Sequence, residues 1–132
     1  MSGKSPKIFV VDDDPAFRSA VVKILSASGY RVVEESRMLR VIDSIVQEKP
    51  DLILLDLNIP QMSGMEIIKT LHGMGLAIPI LVVSGKISLD EFQNLREFGV
   101  LEFLAKPVTT KNLLTRIESI LKVYSEDNSK KN

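Results

Sequence analysis

Five short apolar runs punctuate the chain: KIFVV (Lys7 to Val11), YRVVEE (Tyr30 to Glu35), DLILLD (Asp51 to Asp56), PILVVS (Pro79 to Ser84) and LEFLA (Leu101 to Ala105). The first, third and fourth are nearly unbroken, rich in branched residues and bounded by Asp, Pro or Gly. That is the pattern of strands buried on both faces. The second and fifth are weaker. Between the runs, apolar residues recur at helical spacing. Phe17, Val21, Val22, Ile24 and Leu25 share one broad face, and Val41, Ile42, Ile45 and Val46 make a second. Ile67, Ile68 and Leu71 make a third, Leu89, Phe92 and Leu95 a fourth. Leu113, Leu114, Ile117, Ile120, Leu121 and Tyr124 make the fifth. Strands alternating with helices predict βαβ crossovers, hence an α/β domain: a five-stranded parallel sheet with five helices on both faces.

Local signals agree with these boundaries. Gly29, Gly75 and Gly99 each follow a helical stretch, where a left-handed residue closes a helix. The stretch EKPD (Glu48 to Asp51) ends a helix before the third strand. The last residues, SEDNSKKN, are polar and expected to fray. One domain is predicted over 6–124, with a short extension at 1–5 and a polar tail at 125–132. No repeat, linker or second domain is visible, so an output domain is expected on another polypeptide or outside this stretch.

Composition narrows the function classes. At 132 residues and 45% apolar, the chain can bury a full core. Seventeen basic residues balance seventeen acidic ones, which removes the electrostatic case for direct nucleic-acid binding. With no cysteine and a single histidine, His72, neither a thiolate site nor a His-rich zinc site can form. No apolar run reaches the roughly 18 residues of a membrane helix. The opening MSGKSPK lacks a signal-peptide core. A soluble, cytoplasmic chain with no membrane association is expected.

In an open parallel sheet, ligands bind beyond the carboxyl ends of the strands. The first strand ends on Asp12 and Asp13, the third on Asp56, the fourth on Ser84 and Gly85, and the fifth on Lys106. The second ends on Glu34 and Glu35, which are expected to be solvated. Singly, each residue has a plain structural explanation as a turn, a cap or a surface charge. Jointly, they bring three carboxylates, a hydroxyl and an ammonium to one sheet edge. The third aspartate of DDDP differs: Asp14 precedes Pro15, and proline favours the first helical position, so Asp14 is expected to cap the first helix.

These residues resemble the receiver domains of bacterial two-component response regulators, the CheY-like family. The matching motifs are the acidic pair in VVDDDP, the acceptor in LLDLNIPQMSGMEI, the hydroxyl in VVSGK and the lysine in LAKPV. Pro60, Met62 and Gly64 also fit the family's loop pattern, and the likeness extends from about Pro6 to Tyr124. It implies a doubly wound sheet of strand order 2-1-3-4-5. It also implies that Asp56 accepts a phosphoryl group from a sensor histidine kinase, a phosphotransfer protein or a small phosphodonor. By the same resemblance Asp13 and Asp56 bind Mg²⁺ (Mn²⁺ substituting), Asp12 acts through a water, and the backbone carbonyl of Asn58 completes the protein's share. Lys106 pairs with Asp56 or its phosphate and precedes a cis proline, Pro107. Ser84 and Gly85 donate to phosphate oxygens, and Phe103 holds the position of a switch aromatic that responds to movement of Ser84. Ser84 stands where Thr is commoner, and Lys86 adds a cation beside the site.

The implied output face comprises the fourth helix, with Asp90, Glu91, Gln93, Asn94, Arg96 and Glu97 exposed, together with the fifth strand and fifth helix. It would engage a downstream protein or an effector domain on another chain, with the chain a monomer or weak homodimer. Such a protein is no turnover enzyme; it catalyses only its own phosphorylation and dephosphorylation. Two other classes compete. A receiver-like interaction module without phosphorylation usually loses the acidic pair, the acceptor or the lysine, and all are present here. A haloacid-dehalogenase-type phosphatase carries its nucleophile in an Asp-x-Asp pattern after the first strand. Asp12 and Asp14 have that spacing, but Pro15, Ala16 and Phe17 follow, without the Thr or Val of that family and without a cap insertion.

Overall fold

The computed structural model describes residues 5–57, 64–85 and 87–130. They form β1 (Lys7–Val11), α1 (Pro15–Ala27), β2 (Arg31–Glu35), α2 (Met38–Glu48), β3 (Leu52–Leu55), α3 (Gly64–Gly73), β4 (Ile80–Ser84), α4 (Leu89–Arg96), β5 (Val100–Ala105) and α5 (Thr110–Lys130). The sheet is parallel throughout, with order β2-β1-β3-β4-β5. The doubly wound architecture expected from the pattern is therefore present. Strand order reverses between β1 and β3, which places the crevice beyond their carboxyl ends.

The unbroken apolar runs follow from this layering. In β1, Phe9 and Val11 pack with Val41 and Ile45 of α2, Ile67, Ile68 and Leu71 of α3, and Leu95 of α4. Ile8 and Val10, pointing the other way, pack with Val21 and Leu25 of α1 and Leu113, Ile117 and Ile120 of α5. Alternate side chains of one strand thus feed two cores. The central strand β3 is buried at every position, whereas the edge strand β2 is buried only at Glu35. That edge exposure is why YRVVEE carried the weaker signal.

Several expectations need correction. Glu35 is buried rather than solvated, and its carboxylate accepts from the Arg37 backbone N–H and from Arg37 Nε, each at 3.0 Å. The Arg37 hydrogen bond holds Glu35 below its ordinary carboxyl range, outweighing the opposing effect of burial. Leu89, placed on the apolar face of the fourth helix, is 70% exposed. It is the first residue of α4, just after the Ser88 cap, too early in the helix to reach the sheet. The final helix continues to Lys130, past the expected boundary at Tyr124. No Gly or Pro interrupts SEDNSK, so nothing there stops a helix once α5 has formed.

Caps behave as the sequence suggests. Asp14 Oδ1 accepts from the N–H groups of Ala16 (3.1 Å) and Phe17 (3.4 Å), with Pro15 as the first helical residue. Ser88 and Glu91 form a reciprocal capping box on α4. Lys49 closes α2 in a left-handed conformation that the sequence did not advertise.

Candidate functional site

Register determines which residues meet. Val11 of β1 pairs with Leu55 of β3, so the next residues, Asp12 and Asp56, emerge side by side. The Asp56 N–H donates to the Val11 carbonyl at 3.0 Å, continuing the ladder to the backbone of Asp56 itself. On the other side, the Lys106 N–H donates to the Ser84 carbonyl at 2.9 Å, tying the end of β5 to the end of β4. The Lys106–Pro107 peptide is cis.

The lysine side chain returns across the edge to both carboxylates. Its Nζ lies 3.0 Å from Asp12 Oδ2 and 3.1 Å from Asp56 Oδ2. Asp12 is 2% exposed and Asp56 6%. Burial raises the Asp12 carboxyl above its ordinary range, although the Asp14 N–H and Lys106 pull the other way. For Lys106, burial works against the charged form, but the hydrogen bonds it donates to Asp12 and Asp56 outweigh it and the group is raised. The two shifts have different causes: loss of water raises the Asp12 carboxyl, whereas the carboxylates beside it raise the Lys106 ammonium.

Asp13 is exposed, and one oxygen from each of Asp12, Asp13 and Asp56 lies within 4.8 Å of the others. Three hard oxygen donors in such a cluster suit a small divalent cation such as Mg²⁺. Asp12 Oδ1 accepts the Asp14 N–H at 2.9 Å, so both of its oxygens are engaged. Ser84 is fully buried at the end of β4, and Gly85 beside it is exposed. A Cβ added at Gly85 would meet no protein atom within 4 Å, so packing within the chain does not demand glycine there. Gly64 is the opposite case. A Cβ there would sit 2.7 Å from Leu57 Cα and 3.0 Å from the Asp56 carbonyl oxygen, so glycine allows α3 to start against the strand end that carries Asp56. Phe103 is half-buried, its ring 5.0 Å from that of Phe92 on α4. Asn58, Pro60, Met62 and Lys86 lie outside the described residues.

Two neighbours of the site escaped the sequence. Arg18 Nη1 donates to the Asp12 carbonyl at 2.7 Å while its Nε reaches Glu34 at 3.0 Å, clamping the turn that carries the acidic pair. The Phe17 ring lies under the Lys106 ammonium, 4.2 Å from its centroid. Periodicity marked Phe17 only as a core-facing residue, and Arg18 carried no motif of its own.

With this geometry in view, the comparisons with known proteins agree. Residues 8–118 match the response regulator receiver domain family, and the chain belongs to it. Response regulator MprA of Mycobacterium tuberculosis (strain H37Rv) is 34% identical over 118 residues, covering 89% of this chain and 51% of that protein. The chain thus spans about half the length of the curated relatives it matches. A CheY-like response regulator receiver domain protein from Methanospirillum hungatei has a TM-score of 0.88 at 27% identity, covering 94% of this chain and 99% of that one. The BeF3-activated receiver domain of Klebsiella pneumoniae RstA has a TM-score of 0.79 at 31% identity, covering 87% and 97%. The expected CheY-like fold is therefore correct, and the chain is the receiver domain of a response regulator.

Proposed function

We propose that this receiver domain is a phospho-accepting switch in which Asp56 is the nucleophile. The observation that carries this reading is the convergence of Asp12, Asp56 and Lys106 within 3.1 Å contacts at the strand-order reversal, with Asp13 alongside. An Asp56 carboxylate oxygen attacks the donor phosphorus; the bond from phosphorus to the donor's nitrogen or oxygen breaks, and the donor leaves with that electron pair. Water later cleaves the acyl phosphate, returning the carboxylate and inorganic phosphate.

Asp13, Asp56 and the Asn58 backbone carbonyl would hold Mg²⁺ (or Mn²⁺) directly. Asp12, whose oxygens already take hydrogen bonds, suits a role through water. When bound, the cation neutralises charge on the transferring phosphoryl group and relieves carboxylate repulsion. Lys106 supplies a mobile cation that can pass from Asp56 to a phosphate oxygen. The Ser84 hydroxyl and Gly85 N–H serve as donors to that phosphate, and Phe103 responds to the displacement of Ser84. The donor is a sensor histidine kinase, a phosphotransfer protein or a small phosphodonor in the cytoplasm. The α4–β5–α5 face carries the output to a downstream protein or effector domain.

Incubation with acetyl phosphate and Mg²⁺, followed by intact-mass measurement, tests the reading. A single phosphoryl adduct, absent without the metal and absent in Asp56→Asn, is expected. No adduct would favour a non-phosphorylated interaction module, and steady turnover of unrelated phosphate esters would favour a phosphatase.

A further inference from the structure

Among the described residues the Lys106 ammonium has contacts with Asp12, Asp56 and Phe17, of which the site chemistry above uses the first two. Asp12 Oδ2 and Asp56 Oδ2 stand at 3.0 and 3.1 Å. The third is the face of Phe17, 4.2 Å from ring centroid to Nζ. That distance is well inside the range at which a ring quadrupole attracts a cation, and the attraction grows when water is excluded. A separate gap, lined by Phe17, Asp12, Asp56, Val10 and Val83 but not by Lys106, is too narrow to admit a water molecule, so the ring is packed dry against the strand ends that carry the two carboxylates. The ring itself is fixed from behind. Phe17 lies in the first turn of α1, its N–H on the Asp14 cap, and it packs against the buried layer that includes Val10, Leu54 and Val83.

Carboxylate contacts and a ring contact do different things for a lysine that must change partners. Asp12 and Asp56 hold the ammonium through hydrogen bonds that a phosphate oxygen must compete for. An aromatic face takes none of the ammonium's directed hydrogen bonds, so it stays in place while those bonds are exchanged. Lys106 sits on a flexible four-carbon stem and is still 21% exposed, so without the ring its ammonium has an open route toward solvent.

We propose that Phe17 is a positioning residue for phosphoryl transfer: its ring holds the Lys106 ammonium over the Asp12–Asp56 edge while the lysine passes from carboxylate to phosphate. This inference rests on Asp56 being the acceptor. It is tested by initial phosphorylation rates with acetyl phosphate and saturating Mg²⁺ in wild type, Phe17→Leu, Phe17→Met and Phe17→Tyr, each also in a Lys106→Ala background.

Phe17→Leu and Phe17→Met should slow phosphorylation about five-fold, the loss expected from a partly desolvated cation–π contact. Phe17→Tyr, which keeps the ring, should match wild type. In the Lys106→Ala background the Phe17 changes should make no further difference, which a merely structural role would not produce. The ε-methylene protons of Lys106 should show an upfield ring-current shift in wild type and Phe17→Tyr that vanishes in Phe17→Leu and Phe17→Met. Unchanged rates in Phe17→Leu and Phe17→Met, or the same loss with Lys106 absent, overturn the proposal while Asp56 phosphorylation stands. A wild-type protein that takes no phosphoryl group overturns the acceptor assignment and this inference with it.

Discussion

Replacing Lys106 with methionine keeps most of the stem's volume and removes its charge. In the native protein the ammonium contacts Asp12 at 3.0 Å and Asp56 at 3.1 Å. At an effective dielectric of about 20, each contact is worth about 5 kcal/mol before desolvation is counted. Taking the three charges out of water offsets most of that. Removing one partner of a fully buried pair costs about 3–5 kcal/mol, chiefly because the remaining charge is stranded. Lys106 is still 21% exposed, so the low end applies, and about 3 kcal/mol is expected near pH 7 in metal-free buffer. With a urea slope in the middle of the roughly 1–3 kcal/mol per molar range, the unfolding midpoint should fall by about 1.5 M.

The pH dependence gives a sharper test. Lys106 is raised above 10.5 in the fold, so its contribution is fully present near neutrality. Asp12 is raised above 3.8, so the folded state takes up a proton before the unfolded state does, and falling pH relieves the cost of its charge. Without Lys106 that cost is larger, and the variant should recover toward wild type as pH falls from neutrality into the acid range. Urea titrations across this range measure it. A deficit that stays constant with pH, or a variant as stable as wild type near pH 7, would refute the stranded-charge reasoning.

Other changes separate the remaining roles. Asp14→Ala should cost about 1 kcal/mol through the lost cap and leave Mg²⁺ affinity intact, whereas Asp13→Ala should lose the metal; urea and Mg²⁺ titrations compare the two. Gly64→Ala forces a Cβ to within 2.7 Å of the Leu57 backbone. It should cost about 1–3 kcal/mol by urea titration, and it should slow phosphorylation by displacing the segment that carries Asp56. Glu35 is lowered from 4.5 by Arg37, so its stabilisation is present above that value and lost as pH falls through the depressed one. Glu35→Gln should therefore lose about 1 kcal/mol near neutrality, with the gap closing in acid.

Much of this architecture was legible because parallel sheets write themselves plainly. β1, β3 and β4 are covered on both faces, so LILL and ILVV read as strands without ambiguity. Once the order of elements implied a parallel sheet, every strand end had to lie on one edge. Asp12, Asp13, Asp56, Ser84 and Lys106 could therefore be grouped before any distance was known. Less legible was whatever depended on the direction of a side chain. Phe17 reads as one more apolar residue of α1, yet its place in the first turn brings the ring beneath Lys106. Lys106 was expected at Asp56 alone, but the adjacency of β1 and β3 lets one ammonium bridge Asp12 as well. Glu35 resembled its exposed neighbour Glu34, and nothing in the residue pattern announced that Arg37 folds back to donate to its carboxylate.

The central claim is that Asp56, among the carboxylates gathered at this edge, carries the phosphoryl group. Borohydride converts an aspartyl phosphate to homoserine, so trapping after acetyl phosphate treatment and sequencing the peptides by mass spectrometry locates the acceptor. Homoserine at position 56 and at no other aspartate is the predicted result. Homoserine at Asp12 or Asp13, or none in a protein that binds Mg²⁺, would contradict the account.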